Sequence, residues 1–348
     1  MQFDFSYNLE SGKRSGWKTL MDGLPLQPIE QDPEWPRIES APVFYCYFTA
    51  SVENQIVCTA IIAESRKAIF KSADIRFGPI FTDPEQLIAS IQAIHDYYRS
   101  GGYMICTVQL AVQTGAATDY LEYMLNKKLK TAYRFDKNNW SSLIVHLQAP
   151  EEELFKGFSK GHKSDIKKAF KNNIRVFECE SPEEFNIFCN IFSKMNRERG
   201  LGMHDGDNGR FLKTAYEYLK EENKGKVLLV KDESGNILGG VIIVFQGRSS
   251  RYFKGASDLA YRHMPILHLA IWEAIKMSKS AGFEHFDLWG YNHFVKESDQ
   301  IFFINRFKKG FGGEFIFYPK KMYFIFKPLL SNTFQALKKI KKIVTRGR

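Results

Sequence analysis

The sequence predicts an α/β chain of two successive domains, each a mixed sheet flanked by helices. Three observations carry this. The chain has 348 residues, long for one domain and enough for two, each burying its own core. Apolar runs and amphipathic stretches follow one order, β-β-β-α-β-α-β, in both halves. Aromatic residues make up 15% of the chain, which suits half-buried sheet faces and excludes a disordered polypeptide.

In the first half, strands are read at 43–50, 55–63, 68–77, 103–108 and 140–147, with helices at 85–100 and 119–129. Asp83-Pro84-Glu85 marks a helix start, an acid at the N-cap and proline at the first helical position. Gly101-Gly102 ends that helix. The second half opens with helical segments and continues with strands at 226–231, 237–245 and 250–255, the first two joined by a turn at Asp232–Gly235. A helix at 266–281, a strand at 285–288, a helix at 298–308 and a strand at 314–318 follow. Pro265 stands near the start of the long helix and Gly282 just past its end, as position preferences require. The join is placed at Ala149-Pro150-Glu151, where a strand ends and an acidic helix start follows. This gives domains at 1–149 and 150–330 and a basic tail at 331–348.

Five cysteines, an odd and scattered set with no Cys-x-x-Cys pair, exclude a disulfide framework or zinc knuckle and fit a reducing cytoplasm. The first residues lack the apolar core of a signal peptide, and no apolar run approaches the roughly 18 residues that span a bilayer. A cytoplasmic chain is therefore expected. The net charge of +10 is unevenly placed. From Lys320 to Arg348 every charged residue is basic, and from Lys156 to Arg175 only Asp165 is acidic. Anionic partners should meet the protein at these two stretches.

Three segments carry a family resemblance: Tyr252-Phe253-Lys254-Gly255-Ala256-Ser257-Asp258, Phe286-Asp287-Leu288-Trp289-Gly290 and Arg306-Phe307-Lys308-Lys309-Gly310-Phe311-Gly312-Gly313. Their order and spacing resemble the second half of the FemABX aminoacyltransferases, which add amino acids to peptidoglycan precursors. The resemblance implies two tandem GNAT-like domains and acyl transfer to an amine. It further implies aminoacyl-tRNA as co-substrate, a nucleotide- or lipid-linked envelope precursor as acceptor, and no cofactor or metal. Leu219 to Lys226 leaves no room for the coiled-coil arm of some members, so the likeness is to the arm-less ones.

By that resemblance Phe307 lines the acceptor site and Lys308 holds a phosphate or the charge developing in the transition state. Spacing alone favours a plain basic helix end, where lysine suits the dipole, and it is the resemblance that points to the site. Arg199, in Asn196-Arg197-Glu198-Arg199-Gly200, is similar to a helix-borne arginine that contacts the nucleotide-sugar, with Asn196 in place of the family's threonine. Tyr252 and Lys254 alternate along one strand face and either line the same pocket or form a plain sheet face. Two positions depart from the pattern. Gln31…Trp35…Glu39 places an acid where the family carries lysine, with Arg37 as a substitute cation. Gln109 stands where an Asp-Pro pair is usual, and an amide takes no proton at neutral pH.

Tyr261-Arg262-His263-Met264-Pro265-Ile266 lacks the glycines of an acetyl-CoA pyrophosphate turn, which makes acetyl-CoA the less favoured donor. No P-loop, dinucleotide fingerprint or serine-nucleophile elbow is present. His263 and His268 are five apart, and His285 with Asp287 lacks a third ligand, so no metal site is expected. In the tail Phe334, Leu337, Ile340 and Val344 recur at helical spacing among lysines. That pattern fits a helix lying on an anionic membrane surface or one docked on the protein itself. Three functions remain open: an aminoacyltransferase at the inner face of the membrane, an acyl-CoA-dependent N-acyltransferase of envelope polysaccharide, and a non-catalytic, membrane-recruited binding protein.

Overall fold

The structure is a computed structural model that describes the chain except residues 25, 39–42, 68, 112–132, 200–204 and 335–348, and the side chains of 205–208 and 300. In chain order it begins β1 (Gln2–Ser6), α1 (Ser11–Asp22), β2 (Phe44–Val52), β3 (Gln55–Lys67), β4 (Phe70–Ile75), β5 (Ile80–Phe81), α2 (Pro84–Ser100), β6 (Ile105–Val108) and β7 (Tyr133–Phe135). It continues β8 (Ser141–His146), α3 (Glu151–Gly157), α4 (Lys160–Lys171), β9 (Arg175–Glu178), α5 (Pro182–Glu198), α6 (Asp205–Glu221), β10 (Gly225–Lys231), β11 (Ile237–Gln246) and β12 (Ser249–Ser257). It ends α7 (Ile266–Ser280), β13 (His285–Asp287), α8 (Gln300–Lys309), β14 (Glu314–Phe317) and β15 (Met322–Ile325).

Two compact units result, one of residues 1–36, 42–140 and 317–348, the other of 37–41 and 141–316. The sheet of the first runs β1-β2-β3-β4-β6-β15-β7, with β5 paired to β3. β4 and β6 are parallel, so a crossover must join them, and α2 supplies it. Asp83 caps this helix by accepting from the amides of Glu85 and Gln86, as its sequence requires. Its apolar stripe, Leu87, Ile91, Ile94 and Tyr98, is buried with Phe48, Ile62 and Ile75 of the sheet.

The second unit has the sheet order β14-β8-β13-β12-β11-β10-β9. β12 and β13 run parallel, and α7 is the crossover between them. Its Leu269, Ala270, Ile271, Ala274 and Ile275 are buried in the core with Val241, Ile243 and Phe286.

The units do not divide at 149–150. The strand read at 140–147 as the last of the first half is β8, which pairs antiparallel with β13 of the second sheet. In exchange β15 returns from beyond residue 317 to pair with β6 and β7. Local pattern marks a strand, but its partner is chosen by the whole sheet, and neither exchange is visible in periodicity. The helix read at 119–129 and most of the tail lie outside the described residues; Phe334 lies within them, its ring centroid 5.0 Å from that of Phe70.

Candidate active site

A cleft of about 890 Å³ opens in the second unit. The ends of α5 and α8, the strand β12, the loop after β13 and the turn before α7 form its walls. Five of the seven sequence candidates line it together: Arg199, Tyr252, Lys254, Phe307 and Lys308.

The β12 wall is irregular for a stated reason. Ile242 pairs with Lys254 and Ile243 with Tyr252, so Phe253 is an extra residue opposite no partner. Such a bulge bends the strand and breaks its alternation. Tyr252, Phe253 and Lys254 consequently all reach the cleft. Simple alternation, as read from sequence, would have placed only the outer two there.

Lys308 is buried in the last turn of α8. Its ammonium donates to the carbonyls of Trp289 and Gly290, the latter at 2.9 Å. An ammonium has three donors, and Lys308 lines the cleft with these two committed. Burial and the neighbouring Lys254 lower its pKa to about 8, against the opposing pull of Asp287. It is still mostly cationic at neutral pH. Burial likewise lowers Lys254. Desolvation pushes the Tyr252 phenol up to about 12, so it remains a hydrogen-bond donor despite the nearby Arg199.

The carbonyls that hold Lys308 come from a strained loop. Trp289 has φ of 51°, unusual for a bulky residue, and Gly290 has 49°. Asp287 fixes this turn by accepting from the Trp289 amide at 2.7 Å. Its carboxylate is neutralised by the buried Arg251, Nε to Oδ2 at 3.1 Å, and also accepts from Ser142. The Arg251 guanidinium lies 3.6 Å from the Trp289 ring centroid. The buried pair, the stacked indole and the two carbonyls form one chain of contacts ending at Lys308.

On the other side of α8, His162 Nε2 lies 2.8 Å from the Phe307 carbonyl, and Ser159 Oγ lies 3.1 Å from Nδ1. A carbonyl only accepts, so Nε2 carries the proton and Nδ1 accepts from the serine hydroxyl. Gly310 is required by this contact, since a Cβ there would sit 2.0 Å from His162 Cε1. Gly310→Ala must displace the ring and the helix end bearing Lys308, and is expected to cost about 2–3 kcal/mol. A urea midpoint equal to wild type would show that the contact yields freely.

The other two candidates stand elsewhere. Arg37 does not line the cleft; its guanidinium pairs with Glu221 at 2.8 Å and Glu222 at 2.5 Å. Gln109 is buried in the first unit and donates to the Pro319 carbonyl at 2.7 Å, holding the segment that leads into β15. The Gln31–Trp35 segment serves the same unit. Gln31 accepts from the Ile61 amide at 2.8 Å and donates to the Arg76 carbonyl at 2.8 Å, and Trp35 is buried. Glu39 lies outside the described residues.

Asn196 and His268, neither taken as a site residue from the sequence, also line the cleft. Asn196 is buried with its side-chain nitrogen unpartnered. His268 was weighed only as a metal ligand. Among the described residues no cluster of three metal-ligating side chains occurs, and no helix is long and apolar enough to cross a membrane.

Comparison with known proteins agrees with this architecture. Residues 157–301 match the family model described as acetyltransferase (GNAT) domain. The structure of FemX superposes with a TM-score of 0.80 at 14% identity, covering 96% of this chain and 99% of that one. A tandem GNAT protein from the clavulanic acid biosynthesis pathway gives 0.59 at 9% identity, covering 93% and 99%. L-PGS from Bacillus licheniformis gives 0.56 at 12% identity, covering 91% and 92%. No curated protein matches the sequence. The chain has the tandem GNAT-like fold, shared over nearly its whole length with FemX.

Proposed function

We propose that this chain is an acyltransferase that moves an aminoacyl group from aminoacyl-tRNA to an amine of a peptidoglycan or other cell-envelope precursor. The observation that carries the reading is Lys308, a buried ammonium held by two backbone carbonyls at the wall of a cleft shared with Lys254 and Arg199. Acyl transfer to an amine passes through a tetrahedral oxyanion, and a fixed cation stabilises it by about 3–4 kcal/mol. The fold shared with FemX and L-PGS supports the same chemistry.

Coenzyme A as donor is the second reading, since the fold is also shared with a tandem GNAT protein. The turn before α7 counts against it. The amides of Tyr261, Arg262, Met264 and Ile266 all donate to carbonyls of the same segment, and Pro265 has none to offer. A pyrophosphate would have to rely instead on the amides of the first turn of α7. By contrast Lys160, Lys167 and Lys171 stand exposed on α4, ready for a polyanion. Charged tRNA should bind with a steep salt dependence, log K falling by roughly 0.7–0.9 per phosphate contact. Acetyl-CoA at submillimolar concentration should give no thermal shift. Saturable acetyl-CoA binding together with absent tRNA binding would replace this reading with the polysaccharide N-acyltransferase.

An envelope acceptor places the enzyme at the inner face of the membrane, and the basic tail is the proposed contact. A chain ending at Asn332 is expected to stay folded but to lose binding to anionic vesicles at low salt. Equal vesicle binding by the full and shortened chains would assign the tail to the protein's own surface.

A further inference from the structure

The cleft holds cations suited to an oxyanion, yet acyl transfer to an amine also has to move a proton. The attacking nitrogen becomes positively charged as its bond to the acyl carbon forms. No carboxylate of the lining other than Asp165 is available to relieve it.

His268 occupies the first turn of α7 and lines the same cleft as Lys308. It is packed on three sides. Its ring centroid lies 4.5 Å from that of His162 on α4, and 5.0 Å from that of Phe307, the residue preceding Lys308. Its Nε2 lies 3.5 Å from Asp165 Oδ2. That distance is long for a hydrogen bond but short enough to steady an imidazolium once one forms. His162 is itself fixed as a neutral donor to the Phe307 carbonyl, so it neither takes the proton nor turns away. The groups that act on this ring are His162 and Asp165, both on α4; the cations Arg199, Lys254, Arg262 and Lys308 share the cleft lining.

We infer that His268 is the proton acceptor of this cleft, with Asp165 stabilising the imidazolium and His162 holding both rings in register. The inference rests on the acyl-transfer reading above. In the step, the lone pair of the neutral amine forms a bond to the acyl carbon of an ester or thioester, and the carbonyl π electrons move onto oxygen. His268 removes a proton from the nitrogen. The oxyanion then re-forms the carbonyl and expels the leaving oxygen or sulfur, which takes the proton back from His268. Ester and amine become amide and alcohol, with no net proton released. Burial and the neighbouring His162 lower the pKa of His268 to about 4, against the opposing Asp165. The free enzyme thus presents an unprotonated ring throughout the neutral range.

Two measurements on the full chain test this. In a histidine NMR titration of the free protein, the His268 ring should stay neutral from pH 8 down to about pH 5. A ring already protonated at pH 7 would overturn the assignment whatever the substrate. In an acyl-transfer assay with charged tRNA and with acetyl-CoA as donors and extracted envelope precursors as acceptors, His268→Gln should lower kcat by about 10²–10⁴-fold. Donor KM should be unchanged, and added imidazole should restore part of the activity of His268→Ala in proportion to its neutral fraction. Wild-type turnover in His268→Gln, or losses in the Gln and Ala variants that imidazole leaves untouched, would reduce His268 to a packing residue. Lys308→Ala separates the two claims. A cleft that needs Lys308 but not His268 overturns this inference alone, whereas a wild-type chain inactive with both donors overturns the acyl-transfer reading and this inference with it.

Discussion

Lys308→Ala is expected to lower turnover by two to three orders of magnitude and to leave the chain folded. The first part follows from the size of an oxyanion contact made by a buried cation. The second follows from the burden left behind. The carbonyls of Trp289 and Gly290 lose their donor, which costs about 1–3 kcal/mol and is less than a domain's whole stability. A pH dependence accompanies it. The pKa of Lys308 lies at about 8, so raising the pH through that value removes the charge and kcat should fall along an alkaline limb. Lys308→Arg, charged at every accessible pH, should abolish that limb even if its own turnover is low. Near wild-type turnover in Lys308→Ala would remove the residue from the mechanism.

Arg251→Ala is expected to be the most destabilising single change near the site, at about 3–5 kcal/mol. The partners are both buried, and the substitution strands the Asp287 carboxylate inside the second unit. It also removes the cation over Trp289 and loosens the turn whose carbonyls hold Lys308. Urea denaturation would measure the loss, and kcat should fall with it although Arg251 does not line the cleft. Replacing both partners with apolar residues should recover part of the stability, because no unpaired charge then remains buried. A single Arg251→Ala variant as stable as wild type would show that the Asp287 carboxylate does not depend on this ion pair.

The sequence revealed the elements more readily than their partners. The cap at Asp83, the helix at 84–100 and the long helix from Ile266 are local events, decided by side chains within a turn of one another. The exchange of β8 and β15 between sheets is not local, because any strand with an apolar face satisfies the same pattern. The site divides in the same way. Lys308, Phe307, Arg199, Tyr252 and Lys254 were identified because three segments resemble a known family, and the fold brings them to one cleft.

Arg37 and Gln109 came from the positions that depart from that family, and each makes contacts of its own elsewhere. His268 stood out in the sequence only as one of two histidines five apart, a spacing that makes no metal site. Its meaning depends on His162 and Asp165, more than 100 positions away in the chain and 4.5 Å and 3.5 Å away in space. The Arg251–Asp287 pair is similar. Each residue alone reads as an ordinary strand charge, and only pairing of β12 with β13 brings Arg251 opposite Asp287.

The proposed reaction is the joining of an acyl group to an amine in the cleft of the second unit. Its most direct test is single-turnover transfer from tRNA charged with a radiolabelled amino acid to precursors extracted from the native cell, followed by mild alkali. With the wild-type chain, label should leave the tRNA and appear in an alkali-stable amide on the precursor. With Lys308→Ala, transfer should be at least a hundredfold slower. Label that remains on the tRNA as an alkali-labile ester with the wild-type chain, or that moves equally fast with Lys308→Ala, would contradict it.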